Sequence, residues 1–66
     1  MNKQYALGWN YRLDAEETGN YRIKSRDPEF IKGYRDCNNV IIAGLRQSHD
    51  SKTPFIYPKK INIDKF

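Results

Sequence analysis

The segment that begins at Asp27 constrains the fold most, because it marks both where a helix begins and which of its faces is apolar. Asp27 is a favourable N-cap residue, and Pro28 is favoured at the first helical position. Apolar side chains then recur every three or four residues, which is the period of an amphipathic helix. The pattern predicts a helix over residues 28–47. Its apolar face comprises Phe30, Tyr34, Cys37, Ile41 and Leu45.

Gly33 lies in the second turn of this predicted helix, where glycine costs about 1 kcal/mol relative to alanine. Small residues at helical spacing allow another backbone to approach closely, and such a contact can outweigh that loss. Two poor helix formers, Asn38 and Asn39, allow a second interpretation in which the helix ends there and residues 40–44 form a short strand. We expect the continuous helix.

The N-terminal segment permits two interpretations. Large apolar residues alternate at every second position from Tyr5 to Leu13, which favours a strand that pairs with residues 21–25 in a hairpin. Interpreted as a helix, the same segment places Tyr5, Ala6, Trp9 and Leu13 on one face and leaves Tyr11 outside it. The residue pattern by itself leaves both open, with an N-terminal β-hairpin packed on one helix (α+β) as the alternative fold.

Residues 48–66 differ in composition from residues 1–47, which we predict to form a single small helical domain. Residues 48–54 have the composition of a loop, and residues 55–66 combine apolar side chains with Pro58 and several lysines. We expect an extended basic C-terminal arm that either lies over the domain's own apolar surface or contacts a partner.

The size of the chain limits how it can be stabilised. A domain of this length buries only about 60% of the surface that its unfolded chain exposes. Cys37 is the single cysteine, so there is no internal disulfide, and Cys37 with His49 cannot supply a zinc site. We therefore expect a partner, either a second copy of the chain or a larger target. The N-terminus lacks an apolar signal sequence and no segment is long enough to span a bilayer, which predicts a soluble cytoplasmic protein.

The charge is concentrated in the middle of the chain. The formal net charge is +4, and residues 20–47 carry six basic against three acidic residues. Basic residues alternate with Tyr21, Ile23 and Ser25 in the connection between the two predicted elements, an arrangement suited to RNA phosphates and unpaired bases. A strand with one polar face would give the same pattern. The candidate RNA- or partner-binding side chains are Arg22, Lys24, Arg26, Lys32, Arg35, Arg46, Lys59 and Lys60.

Two Gly-aromatic segments, Gly8-Trp9 and the residues from Phe30 to Arg35, resemble the ribosome modulation factor family. That family comprises small basic bacterial proteins built as two helices joined by a loop, and short phage and plasmid proteins look similar. The resemblance spans about residues 4–40, and the family often has glycines where this chain has Arg12 and Ala15.

The resemblance implies that residues 5–13 are helical, so we predict an all-α fold, a small two-helix hairpin with an extended C-terminal arm. It further implies that Gly8 and Gly33 lie where the helices cross, with Trp9 and Tyr34 closing the contact.

No catalytic arrangement is apparent. The four glycines are scattered, so none forms a phosphate-binding loop, and Ser48-His49-Asp50 are consecutive residues whose side chains diverge. We expect neither an enzyme nor a cofactor or metal. The resemblance implies a regulator that binds the ribosome or structured RNA and modulates translation. The alternative is a phage-type small inhibitor or adaptor that docks on a host protein.

Overall fold

The computed structural model describes residues 2–52 and 54–65. Helix α1 spans Lys3–Thr18 and helix α2 spans Pro28–Ser51, and a turn of 3-10 helix follows at Ile63–Lys65. The two long helices pack against each other, and none of the residues in these ranges lies in a strand. The all-α helical hairpin is confirmed, and the alternative α+β fold is wrong.

Both ends of α1 are capped by local hydrogen bonds. The side chain of Asn2 accepts a hydrogen bond from the backbone N–H of Gln4 at 2.7 Å. At the other end Gly19 adopts a left-handed conformation with φ of 75°, and its N–H donates to the carbonyl of Ala15 at 2.8 Å. The caps define a sixteen-residue helix in which the alternating segment is helical throughout.

Helix α1 has neighbours on two sides, which explains why its sequence resembles a strand. Gly8 contacts the backbone of Phe30 in α2. Trp9 and Asn10, further round the helix, hydrogen-bond to the C-terminal arm. A helix covered on two faces needs apolar residues on both, so no single apolar stripe forms.

Helix α2 begins where the sequence predicts. The carboxylate of Asp27 accepts hydrogen bonds from the backbone N–H groups of Glu29 and Phe30, at 2.8 and 3.4 Å. The alternative of a helix ending at Asn38 and Asn39 is wrong, because α2 continues through both residues. The side chain of Asn38 accepts a hydrogen bond from Arg12 of α1 at 2.9 Å, so this poor helix former contributes to the packing.

The predicted end of α2 at residue 47 was wrong by four residues. The helix continues through Ser51 and ends where Lys52 adopts a left-handed conformation with φ of 59°. Composition suggested a loop because Ser, His and Asp are common in loops. The stop is set instead by Lys52 and by Pro54 shortly beyond it.

The helices cross with their backbones in contact. A Cβ atom added to Gly8 would overlap the carbonyl oxygen of Phe30 and lie 2.7 Å from its carbonyl carbon. A Cβ added to Gly33 would overlap the carbonyl oxygen of Tyr5 and lie 3.1 Å from the backbone nitrogen of Trp9. Each helix therefore provides one glycine against which the other helix rests.

The rings of Tyr11, Phe30 and Tyr34 pack together between the two helices, so that Tyr34 of the expected pair has an aromatic partner on α1 other than Trp9. Tyr11, which the helical pattern placed outside the apolar face, lies 5.6 Å from Phe30 and 6.1 Å from Tyr34, measured between ring centroids. The ring of Trp9 stacks beside that of Tyr5, and its indole N–H donates to the carbonyl of Lys59 at 3.0 Å. Trp9 thus joins α1 to the C-terminal arm.

The buried core is small. Ala6, Ala15, Cys37 and Ile41 are almost completely buried, whereas Leu45, predicted to pack against α1, is 48% exposed. Helix α2 has 24 residues and α1 has 16, which correspond to lengths of about 36 and 24 Å. Because α1 is shorter, it leaves part of the apolar face of α2 uncovered.

The C-terminal arm, which the structure describes over residues 54–65, lies on the domain itself. The side-chain amide of Asn10 forms two hydrogen bonds with the backbone of Ile61, donating to its carbonyl at 2.8 Å and accepting from its N–H at 2.7 Å. Nearer the start of the arm, the ring of Phe55 lies against Gly44 of α2, where a Cβ would overlap it. Of the two placements left open, the structure shows the arm on its own domain.

A hydrogen bond between the helices makes the fold sensitive to alkaline pH. The hydroxyl of Tyr5 donates to the carboxylate of Asp36 at 2.5 Å. This bond, followed by burial and the charge of Asp36, raises the pKa of Tyr5 from 10.0 to about 12. The native state holds this proton more tightly than the unfolded chain, so the stabilisation is complete below pH 10 and is lost as the pH rises towards 12.

Substitution of Gly33 by alanine tests the backbone contact. Although alanine favours the helix, its Cβ would force the helices apart, so we expect a loss of about 1–3 kcal/mol in the free energy of unfolding. Asn39→Ala, at an exposed position of the same helix, is the control and should preserve or raise stability. Thermal unfolding measures both. If Gly33→Ala raised the melting temperature as much as Asn39→Ala does, the glycine would not be in contact with α1.

Tyr5→Phe tests the source of the alkaline sensitivity. The difference in unfolding free energy between the wild type and Tyr5→Phe should be constant below pH 10 and shrink between pH 10 and 12. Asp36→Asn removes the carboxylate but keeps an acceptor. In an Asp36→Asn background, the effect of Tyr5→Phe on the unfolding free energy should depend less on pH. Urea unfolding at successive pH values measures these differences. A difference that does not change with pH would contradict the assignment to Tyr5.

Candidate nucleic-acid interface

The two helices are joined by residues 19–27, termed here the basic loop. Residues 19–22 are all exposed, and over residues 22–27 exposed and partly buried residues alternate. Arg22, Lys24 and Arg26 are exposed, whereas Ile23 and Ser25 between them are partly buried. Such alternation is typical of an extended chain lying on a surface, in which every second side chain points the same way, about 6.6 Å apart. The loop therefore presents three cations in a row on its outer side.

Two tyrosine hydroxyls, one from each helix, hold the backbone of the basic loop. Tyr34 of α2 donates to the carbonyl of Tyr21 at 3.1 Å, and Tyr11 of α1 donates to the carbonyl of Arg22. The side chain of Asn20 accepts a hydrogen bond from the N–H of Arg22 at 3.2 Å. The start of the cationic row is thus fixed to both helices.

Arg12 of α1 supports the loop from below. Its guanidinium lies 5.1 Å from the ring centroid of Tyr21, within the range of a cation–π interaction. Only 6% of Arg12 is exposed. Its Nε donates to Asn38 and its Nη2 to Glu16, both at 2.9 Å, and the contact with Glu16 is also an ion pair.

The hydrogen bonds of the buried Arg12 guanidinium are incomplete, because its third nitrogen, Nη1, is not paired with any described residue. Nη1 is buried and has no hydrogen-bond partner among the described residues. A buried cation needs hydrogen bonds and a counter-charge to offset the loss of solvation, so Glu16 is part of the support of the loop. The nearby thiol of Cys37 is also buried, and burial raises its pKa while the charge of Arg12 opposes that shift.

The other predicted cations lie in separate places. Lys32 and Arg35 are exposed in the first half of α2, on the side opposite Cys37, and they follow the basic loop along the chain. Arg46 is also exposed, but eleven residues of helix place it about 16 Å beyond Arg35. The structure therefore keeps Arg46 apart from the loop.

Lysines of the C-terminal arm lie beside α1. Lys60 forms an ion pair with Asp14 at 2.5 Å, and the hydrogen bond and charge of Asp14 raise the pKa of Lys60. The side chain of Lys59 is exposed, while its carbonyl accepts the indole hydrogen bond described above. Lys60 thus serves the packing of the arm. Apart from it and Arg12, no lysine or arginine within residues 2–52 and 54–64 forms an ion pair with another described residue.

Sequence reasoning identified the cations of this site but missed the side chains that position them. The helical pattern placed Tyr11 outside the apolar face, and Arg12 was noted only as a departure from the family's glycines. A signal for Arg12 was nevertheless present: Glu16 follows it by four residues, the spacing of an ion pair along one helix.

Within the described ranges, no cluster of three or more His, Cys, Asp or Glu residues could hold a metal ion, and neither helix there has the length and apolar composition needed to cross a membrane. Comparison with protein-family models, with curated proteins and with solved structures finds no match.

Removal of the two anchoring hydroxyls should loosen the basic loop while leaving the helices folded. Tyr11→Phe and Tyr34→Phe each remove one hydrogen bond, worth about 1 kcal/mol, so we expect tryptic cleavage after residues 22, 24 and 26 to accelerate about fivefold for each. The control is Tyr57→Phe, whose hydroxyl makes no hydrogen bond within the described part of the chain. Equal cleavage of all three variants and the wild type would contradict this role.

Proposed function

We propose that this chain is a small basic regulator that binds the ribosome or another structured RNA, and so modulates translation. It acts in the cytoplasm, by binding and without catalysis. One observation carries the proposal: Arg22, Lys24 and Arg26 form an exposed cationic row that has no ion-pair partner in residues 2–52 and 54–65, on a loop anchored to both helices.

Such a row suits a polyanionic ligand for two reasons. Cations without a counter-charge on their own surface can release the counterions condensed around phosphates, which is the main source of affinity for nucleic acids. A loop already held in its extended form also loses less conformational entropy when a ligand binds. Lys32 and Arg35, which follow the loop on the exposed side of α2, extend the cationic surface.

The resemblance to the ribosome modulation factor family supports the same function. The two Gly-aromatic segments on which it rests are the ones whose glycines, Gly8 and Gly33, meet at the helix crossing. Because both glycines take part in the same contact between the helices, the two segments support the resemblance more strongly than two unrelated Gly-aromatic pairs would. The ribosome is therefore the first target to examine.

A second candidate function, docking on a host protein, is favoured by the apolar side chains that remain exposed. A groove between α2 and the C-terminal arm is lined by Val40, Gly44, Phe55 and Ile56, and Leu45 is exposed on another side of the helix. Exposed apolar surfaces of this kind commonly mark protein interfaces. Binding of this type should depend little on salt, since it does not release counterions.

Neutralisation of the row tests the proposed function. Replacement of Arg22, Lys24 and Arg26 together by glutamine should remove about three phosphate contacts, flattening the slope of log affinity against log salt concentration by roughly 2–3. Filter binding to purified bacterial ribosomes, at salt concentrations from about 50 to about 300 mM, measures this slope. The control variant, Lys3→Gln with Lys52→Gln, removes exposed charge outside the loop and should retain the wild-type slope.

Stability serves as a check on that experiment. Because all three side chains are exposed, the triple variant should unfold within about 0.5 kcal/mol of the wild type for each substitution. An unchanged salt slope in the triple variant would overturn the proposal. If binding is also insensitive to salt and is lost in Leu45→Ser combined with Ile56→Ser, the protein-docking function is the correct one.

A further inference from the structure

The exposed ring of Tyr21 is the feature of the basic loop that the row of cations does not explain. Its side chain is large, lies at the start of the row, and leaves the residue 47% exposed. Tyr57 is as exposed, at 49%, but its ring packs edge-on against Phe55 at 4.6 Å between centroids. The ring of Tyr21 packs against no other aromatic ring in the part of the chain that the structure describes.

The ring of Tyr21 is nevertheless fixed. The guanidinium of Arg12 lies over one of its faces, and this guanidinium is itself buried and hydrogen-bonded to Asn38 and Glu16. The backbone on either side is held as well, through the hydroxyl of Tyr34 at the carbonyl of Tyr21 and that of Tyr11 one residue later. A planar, preorganised ring loses little conformational entropy when another planar group stacks on it.

Phosphate-binding groups begin directly beside this ring. Arg22 is the next residue, and Lys24 and Arg26 continue the row at intervals of about 6.6 Å along an extended chain. A nucleotide stacked on Tyr21 would therefore direct its backbone towards cations. The combination of an aromatic platform with a cationic track is the arrangement by which proteins bind unpaired RNA.

We propose that Tyr21 is a stacking platform for one unpaired nucleobase, and that the phosphates following this base lie along Arg22, Lys24 and Arg26. The ligand class is single-stranded or looped RNA, since the bases of a duplex are stacked on each other and cannot reach the ring. Arg12 is a positioning residue that holds the ring from beneath. This inference rests on the proposed function, and narrows it to the unpaired regions of the RNA.

Fluorescence anisotropy with a labelled single-stranded oligoribonucleotide, and with the same sequence annealed into a duplex, tests the inference. Tyr21→Ala should weaken single-strand binding roughly 5- to 150-fold, the usual range for a lost base–aromatic stack, and leave the salt slope unchanged. Tyr21→Phe should retain the affinity because the ring remains. Tyr57→Ala, the control at the equally exposed aromatic residue, should bind as the wild type does.

An abasic nucleotide locates the stacked base. It is placed at each position of the oligoribonucleotide in turn, and at one position the wild type should bind no better than Tyr21→Ala, because the base that the ring would contact is missing. A 2-aminopurine at that position should lose fluorescence on binding the wild type and keep it on binding Tyr21→Ala.

The outcomes separate this inference from the function on which it rests. If Tyr21→Ala binds the single strand as tightly as the wild type, while neutralisation of the cationic row abolishes binding, then the platform is wrong and the proposed function stands. Preference of the wild type for the duplex would likewise overturn the platform and leave the proposed function standing. If the wild type binds neither RNA nor ribosomes, the proposed function itself is wrong.

Discussion

The contact between the helix backbones at Gly8 and Gly33 determines how the rest of the chain is arranged. Helices that approach this closely leave no room for large side chains between them, and the buried residues within about one turn of the two glycines are small, namely Ala6 and Cys37. The aromatic side chains must then lie around the crossing rather than within it. At that position Tyr11 reaches the basic loop by its hydroxyl while its ring packs on α2.

Aromatic residues at the edge of the close crossing can therefore bury their rings and, at the same time, hydrogen-bond to another segment of the chain. A fully buried tyrosine must satisfy its hydroxyl inside the core, whereas a tyrosine at the edge can bury its ring and bind whatever segment passes over it. Tyr34 binds the loop in this way, Tyr5 binds Asp36 of the other helix, and Trp9 binds the C-terminal arm. These bonds connect the segments of a chain that has no disulfide to do so.

How much of this could be predicted depends on whether the signal was local. The start of α2 was predictable, because Asp27, Pro28 and the following apolar period act within one segment. A close backbone approach at Gly33 was predictable from the small residues in α2, whereas the role of Gly8 followed only from the family resemblance, since nothing in residues 5–13 by themselves excludes a strand. The end of α2 was missed because a backbone conformation at Lys52, which composition does not reveal, sets it.

The side chains that support the candidate site were missed for a different reason. Arg12 has the composition of a surface residue, and it is buried only because Asn38, Glu16 and Tyr21 reach it from α2, from its own helix and from the loop. The spacing of four residues between Arg12 and Glu16 indicates their ion pair, but no pattern within α1 indicates the contacts with Asn38 and Tyr21. The partners of Arg12 outside α1 can be identified only in the folded structure, because they come from different elements. The same holds for the attachment of the C-terminal arm through Asn10.

Because several weak contacts hold the basic loop, no single contact should determine how tightly the loop binds a ligand. The affinity of a preorganised site falls only in proportion to the fraction of molecules in which the loop is held. With Tyr11, Tyr34, Asn20 and the Arg12–Tyr21 contact all present, loss of one bond worth about 1 kcal/mol still leaves most molecules in the held form. Protease sensitivity, which follows the small open fraction, responds to the first bond removed, whereas affinity falls only after several are lost. For the proposed RNA site, loss of one anchor should therefore change loop opening measurably, whereas affinity should fall only when several anchors are removed together.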